Sequence, residues 1–192
     1  MKLGNRIAIF VTLMALSVPA ADAQQQTAAP QPPPTIASAL DKELSAVEQQ
    51  VVSAAEAMPE EKYSFAPTAG EFKGVRTFGE QVRHIAAANN MFFGLFFGEK
   101  ADLDAAEKGP AGVTTKVQIV QYLKDSFAKG HKAIATITAG NVVAVLEAAP
   151  FPLVNTRLAL ASFACAHAFD HYGQMVEYLR MNGIIPPASR GQ

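Results

Sequence analysis

Apolar residues recur every three or four positions in four segments of the chain, which is the spacing of one face of an α-helix. In the first segment, about Thr35 to Met58, they are Ile36, Leu40, Leu44, Val47 and Val51. The second segment begins near Thr77, the third spans about Thr115 to Ala139, and the fourth spans about Asn155 to Asn182. No long stretch alternates with period two, as a half-buried strand would. The pattern predicts an all-α fold, most simply a four-helix bundle.

Proline and glycine residues separate these segments. Pro59 closes the first helix, and residues 63–76 form a loop that contains Pro67. The sequence GPAG at 109–112 and the sequence AAPFPL at 148–153 mark two further connections. The proline-rich segment that ends at residue 34 and the pair Pro186-Pro187 after the last helix limit the predicted bundle to residues 35–187.

The fourth helix is apolar over most of its circumference. Successive residues turn by about 100° around a helix axis, which gives this segment one face around Cys165 and a second face that contains His167 and His171. Only a narrow strip, with Asp170 and Gly173 in it, suits water. Such a helix must be buried on two sides, so we expect one face in the bundle core. The other face would line a cavity, a subunit interface or both.

The chain begins with the pattern of a secretory signal peptide. Lys2 and Arg6 precede a short apolar run, and the run is followed by small residues that end in Ala21-Asp22-Ala23. This run is shorter than the roughly 20 residues of a stable membrane span. We therefore predict a signal peptide over residues 1–23 that is cleaved after Ala23. An uncleaved anchor is the alternative. Residues 24–34 are rich in Gln, Ala and Pro and predict a disordered linker, and residues 188–192 form a tail.

Charge and cysteine content narrow the function classes. The formal net charge of the 192 residues is −1, so the chain lacks the excess of positive charge that nucleic-acid-binding proteins show. Cys165 is the single cysteine, so no disulfide can form within the chain. An exported chain without disulfides is typical of a bacterial periplasm, and we predict a periplasmic or secreted protein.

Two of the four histidines lie four residues apart on the fourth helix, which makes His167 and His171 neighbours on one face. Two imidazoles at this spacing can converge on one cation, and a third ligand is needed from another helix. His84 in the second helix is the candidate. Three neutral nitrogens with an open position describe a catalytic type of site and suit Zn²⁺ or Ni²⁺. The alternative is that these are ordinary core or interface histidines. Position 168 is Ala, which excludes the H-E-x-x-H metalloprotease motif.

Residues 75–90 and 167–187 resemble the DinB-like family of bacterial four-helix metalloproteins. The resemblance is strongest in the F-G-x-x-x-x-H start of the second helix, the H-x-x-x-H-x-x-Q run and the L-R-x-x-G-I-x-P-P ending. It implies that His84, His167 and His171 bind a divalent metal. It also implies a long crossover connection in the bundle and a homodimer. Some members of that family are transferases or isomerases that use bacillithiol or mycothiol. Many carry Arg where this chain has Tyr172, and this departure weakens the transfer of substrate contacts. Export is a second departure, because low-molecular-weight thiols are mainly cytosolic cofactors.

Several other polar residues lie near the predicted site or have side chains that could serve in it. Gln174 lies one turn beyond His171 and is either a residue that orients the site or an interface amide. Glu80 could receive the second N–H of His84, but the pair Thr77 and Glu80 also fits a helix capping box, which we favour. Asp170 is expected to be a solvated carboxylate. We expect His131 to be a half-buried packing residue rather than a site residue.

The remaining candidates have structural interpretations. We expect Cys165 to be a buried, inert thiol, because it points about 160° away from His167 in the helical projection. The sequence MFFGLFF at 91–97 could form a lipid-binding surface, but bundle core and dimer contact explain it more simply.

The leading hypothesis is a metal-dependent enzyme of transferase or hydrolase type that acts on a small molecule. The second hypothesis is a non-catalytic module that binds a metal or a small ligand, and the third is a structural dimer with a vestigial site. None of the three involves nucleic acid, or a membrane span after signal cleavage.

Overall fold

A computed structural model describes residues 33–191, which contain five α-helices. They are α1 (Ile36–Ala57), α2 (Phe78–Gly94), α3 (Leu103–Lys108), α4 (Lys116–Ile134) and α5 (Arg157–Met181). Three single 3₁₀ turns lie at Glu60–Lys62, Leu95–Phe97 and Pro187–Ser189. The described residues contain no β-strand, only an isolated bridge between Val145 and Thr156. The predicted all-α fold is confirmed. The predicted signal peptide and nearly all of the predicted linker lie outside the described residues.

Threonine caps the N-terminus of each long helix. Thr35, Thr77 and Thr115 form capping boxes with the residue three positions later, and Thr156 accepts a hydrogen bond from the amide of Ala159. Each cap satisfies amides of the first turn that have no partner within the helix. The capping box predicted for Thr77 is confirmed, and it sets where α2, the helix of His84, begins.

The four long helices pack around one apolar core. α1 packs against α4 and α5, and α2 also packs against α4 and α5, so the order around the bundle is α1, α4, α2, α5. Residues 58–77 connect α1 to α2, and residues 135–156 connect α4 to α5. The short helix α3 lies against α2. This order places α2 beside α5 although α4 lies between them in sequence.

Two parts of the helix prediction are corrected. The third predicted helix was expected to reach Ala139, but α4 ends at Ile134. After it, the amide of Thr138 donates to the Asn141 side chain, which itself donates to the carbonyl of Thr136, so polar side chains compete with the helix for backbone groups. Ile137 is buried although it lies outside the helix. The six-residue α3 was not predicted, because it is too short to show a period.

The exposed face of α5 is wider than predicted. Asp170 and Gly173 are exposed as expected, but Leu158 and Phe169, which lie on the helical face of Cys165 that was predicted to enter the core, are 38% and 39% exposed. Within residues 33–191, no helix combines the length and apolar character that crossing a membrane requires.

Candidate metal centre

Three imidazole rings meet between α2 and α5. His84 belongs to α2, and His167 and His171 belong to α5. One ring nitrogen from each residue lies within 4.8 Å of the nitrogens of the other two. Nε2 of His84 is 3.2 Å from Nε2 of His167, and the ring centroids of His167 and His171 are 4.6 Å apart. The structure therefore brings together all three residues that the sequence singled out as metal ligands.

The C-terminal end of α3 orients His84. Nδ1 of His84 lies 2.9 Å from the carbonyl oxygen of Ala106 and 3.2 Å from that of Glu107. A carbonyl oxygen accepts hydrogen bonds only, so Nδ1 carries the proton and Nε2 carries the lone pair. A metal-ligating histidine typically donates its second N–H to a carbonyl in this manner. The free Nε2 of His84 faces the other two rings, as a ligand atom must.

Burial keeps the three rings neutral. It lowers the pKa of His167 to about 4, with a smaller contribution from the neighbouring His171, and it lowers the pKa of His171 to about 4. The pKa of His84 is also lowered, first by burial and then by the positive charge of Arg76. A neutral imidazole has the lone pair that a metal requires, so all three rings are in the ligating form at pH 7.

The hydrogen bonds of the cluster are incomplete. Nδ1 of His167 and Nδ1 of His171 are buried and have no hydrogen-bond partner among the described residues. Most buried polar groups in proteins have a partner, so these two atoms are exceptions. The three neutral nitrogens at short range fit a divalent metal site with borderline ligands of the kind that Zn²⁺ and Ni²⁺ prefer.

Aromatic side chains cover one flank of the cluster. The rings of Phe92 and Phe163 lie 5.4 Å and 6.3 Å from that of His167, and Phe151 lies 6.1 Å from both phenylalanines. His167 is partly exposed, whereas His84 and His171 are each 7% exposed. The cluster thus lies at the edge of the core, and His167 is its most exposed ring.

The structure connects Gln174 to a residue that sequence reasoning missed. Gln174 forms no hydrogen bond with the three rings; its Oε1 accepts a hydrogen bond of 2.6 Å from Nε2 of Gln81. Gln81 is 2% exposed, and its own Oε1 is buried without a partner. Gln81 precedes His84 by one turn as Gln174 follows His171 by one turn, so the two amides bridge α2 and α5 beside the histidines. This symmetric spacing is the signal that could have found Gln81.

Glu80 and His131 have structural roles, because their hydrogen bonds are made outside the histidine cluster. Glu80 accepts hydrogen bonds from the amide and hydroxyl of Thr77 and forms none with His84; the amide bond is the main cause of its lowered pKa. His131 is not part of the cluster. Its Nδ1 lies 2.6 Å from Asp41, and its Nε2 lies 3.0 Å from Glu48. It links α4 to α1 by two ion pairs rather than by apolar packing.

The remaining candidates are structural too. Cys165 is 2% exposed, and burial raises the pKa of its thiol to about 12, as expected for an inert thiol. Asp170 is exposed and accepts a hydrogen bond from Gln174. In the segment 91–97, the side chains of Phe92, Phe93, Leu95 and Phe96 are buried in the core. Only Phe97, at 47% exposure, is largely accessible. Core packing explains this segment.

Sequence comparison identifies the family. Residues 43–175 match the DinB superfamily, a stretch that contains all three histidines and most of the bundle. The chain belongs to the DinB superfamily. A search of curated proteins found no match to the chain. For this DinB-superfamily protein the family membership and the clustering of His84, His167 and His171 are therefore observations, and the binding of a metal by them remains a prediction.

Proposed function

We propose that this DinB-superfamily protein binds one divalent metal ion through His84, His167 and His171 and is a metal-dependent enzyme that acts on a small molecule. The observation that carries the proposal is the 3.2 Å approach of the Nε2 atoms of His84 and His167, with His171 beside them. All three rings are neutral, which suits Zn²⁺ or Ni²⁺.

Three protein ligands leave at least one coordination position open, as in catalytic rather than structural sites. A bound divalent ion would supply Lewis acidity toward a substrate group, which is consistent with transferase or hydrolase chemistry. The protein's own contribution is to hold His84 in one tautomer through the carbonyls of Ala106 and Glu107. Phe92 and Phe163 shield one flank of the site from water.

A non-catalytic role is the second candidate. Clefts of about 490, 450, 300 and 210 Å³ lie among the described residues, and the linings of these four contain none of the three histidines. Two of the rings are almost completely buried. These observations favour a module that binds a metal or a small ligand, or a structural dimer with a vestigial site, over a large substrate pocket.

Our proposal includes an exported protein. The support is the basic start, the short apolar run and the A-x-A ending of residues 1–23, which predict cleavage after Ala23 and a periplasmic or secreted location. We further propose a homodimer without a stable membrane span after cleavage and without nucleic-acid partners. The near-neutral charge supports the last point.

Metal analysis of the purified protein tests the ligand assignment. We expect one Zn²⁺ or Ni²⁺ per chain, and we expect His167→Ala to lose it because two histidines rarely retain a metal alone. His131→Ala is the matched control, since it removes the one histidine outside the cluster. Stoichiometric metal in His167→Ala, or equal loss in His131→Ala, would show that the assignment is wrong.

An activity screen separates enzyme from binder. Thiol-transfer and ester substrates would be tested with and without a chelator, with the His167→Ala variant in parallel. An enzyme of this class loses turnover in both the chelator and the variant samples. Full metal occupancy without turnover of either substrate class would favour the non-catalytic module.

A further inference from the structure

A cleft of about 300 Å³ lies between the residues that lead into α2 and the C-terminal end of α3. Its charged lining residues are Arg76, Glu80, Arg83, Glu107 and Lys108. None of the three histidines lines it, so it is distinct from the metal centre. It is nevertheless a neighbour of that centre, because the carbonyl of Glu107 is an acceptor for Nδ1 of His84.

The charges of the cleft leave an excess of cations. Both carboxylates have partners: Glu80 is held by the amide and hydroxyl of Thr77, and Glu107 forms an ion pair with Arg76. Lys108 is exposed and has no ion pair within residues 33–191, and Arg83 has none there either.

Arg83 is held in place by its neighbours, and one of its N–H donors has no acceptor. Its stem packs so closely against Gly109 that a Cβ at that position would lie 2.7 Å from Cγ of Arg83. One guanidinium nitrogen donates to the carbonyl of Val113 at 3.3 Å. The Nε atom is buried and has no acceptor among the described residues. A buried donor on a charged group is costly to leave unsatisfied, so Arg83 keeps hydrogen-bonding capacity that no described residue uses.

We propose that this cleft binds a small oxyanion, the carboxylate or phosphate group of a small molecule, through Arg83 with Arg76 and Lys108. Guanidinium groups bind such oxyanions by paired, charge-assisted hydrogen bonds, and a lysine adds a point charge. The bound anion competes with Glu107 for Arg76 and lies on the Nδ1 side of His84. The proposal goes beyond the metal-dependent function and does not require a metal.

Binding of inorganic phosphate to the purified protein tests the proposal. The melting temperature would be followed against phosphate concentration at constant ionic strength, with chelator present so that no divalent ion contributes. A parallel titration with acetate distinguishes a phosphate site from a carboxylate site. The variants are Arg83→Gln and Lys108→Gln, and the matched controls are Arg180→Gln and Lys132→Gln, which remove the same charges elsewhere.

We expect a saturable rise in melting temperature with phosphate, with acetate or with both. Arg83→Gln should raise the half-saturating concentration by about tenfold or more, as the loss of a charge-assisted hydrogen bond implies, and Lys108→Gln by about threefold. The two controls should behave like the unmodified protein. If Arg83→Gln fails to fold, Lys108→Gln decides, because Lys108 is exposed.

Two results would overturn the proposal. One is the absence of saturable stabilisation by either anion. The other is an unchanged half-saturating concentration in Lys108→Gln and in any folded Arg83→Gln, which would mean that the anion binds elsewhere. Neither result affects the metal assignment, which is tested by metal content in His167→Ala.

Discussion

The pKa values of individual histidines in this protein are shifted in opposite directions. Burial lowers the pKa of His167 to about 4, because few polar groups compensate the charged form there. Burial alone would also lower the pKa of His131, but the hydrogen bonds that its ring donates to the carboxylates of Asp41 and Glu48 outweigh burial and raise that pKa. Because a shifted pKa changes stability with pH, the two residues should respond oppositely to acid and base.

The histidine cluster makes the metal-free protein sensitive to acid. The pKa of His167 is below its unfolded value of 6.5, so the unfolded state binds more protons and stability falls as pH drops from 6.5 toward 4. With a chelator present, the unfolding free energy of His167→Gln should fall less on acidification than that of the unmodified protein. The difference should be about 1–2 kcal/mol after allowance for partial exposure. Urea unfolding at pH 7 and pH 4.5 measures it. An equal loss in variant and unmodified protein would contradict the neutral assignment.

His131 supplies the matched control with the opposite sign. Its pKa is raised, so its stabilisation is complete below pH 6.5 and is lost as pH rises through the folded pKa. His131→Gln should therefore cost about 0.5–1 kcal/mol at pH 6 and less at pH 9, a magnitude typical of partly exposed ion pairs. A cost that does not depend on pH would show that the residue contributes by packing alone.

At the scale of helices, two glycines distinguish the effect of close packing between helices from the effect of helix propensity. Gly130 lies in α4 where a Cβ would be 2.6 Å from Phe93 and 2.9 Å from Leu44, so α4 meets α1 and α2 there. Gly173 lies in α5 with no atom within 4 Å of its Cβ position. The first glycine is required by packing between helices, whereas the second only weakens its helix.

The same substitution should therefore have opposite effects at the two sites. Gly130→Ala should destabilise the protein by about 1–3 kcal/mol, the usual cost of overpacking a core. Gly173→Ala should stabilise it by about 0.5–1 kcal/mol, since alanine favours a helix over glycine by that amount. Thermal unfolding of both variants measures this. Destabilisation by Gly173→Ala would mean that another chain or ligand covers that surface.

Helix starts could be predicted better than helix ends. Threonine caps announce where α1, α2 and α4 begin, because the capping side chain and its partner are close in sequence. The end of α4 was misplaced because Ile137 continues the apolar spacing beyond Ile134. The hydrogen bonds by which Asn141 competes with the helix cannot be detected from the spacing of apolar residues. The short α3 shows no period at all, yet it provides both carbonyls that orient His84.

At the scale of the whole molecule, the site depends on which helices are neighbours. His167 and His171 are paired by helical spacing alone, and family resemblance strengthened the choice of His84. The contact between α2 and α5 sets the distances among the three rings. Gln81 and the cleft around Arg83 were missed, because each depends on packing between elements that are distant in sequence.

Anomalous diffraction from a crystal grown with Zn²⁺ or Ni²⁺ would show whether the three imidazoles bind one divalent ion. We predict one strong peak at the metal's absorption edge, about 2.0–2.1 Å from a nitrogen of each of His84, His167 and His171. A peak bonded to His131 and the carboxylates beside it, or no peak among the three rings at saturating metal, would contradict it.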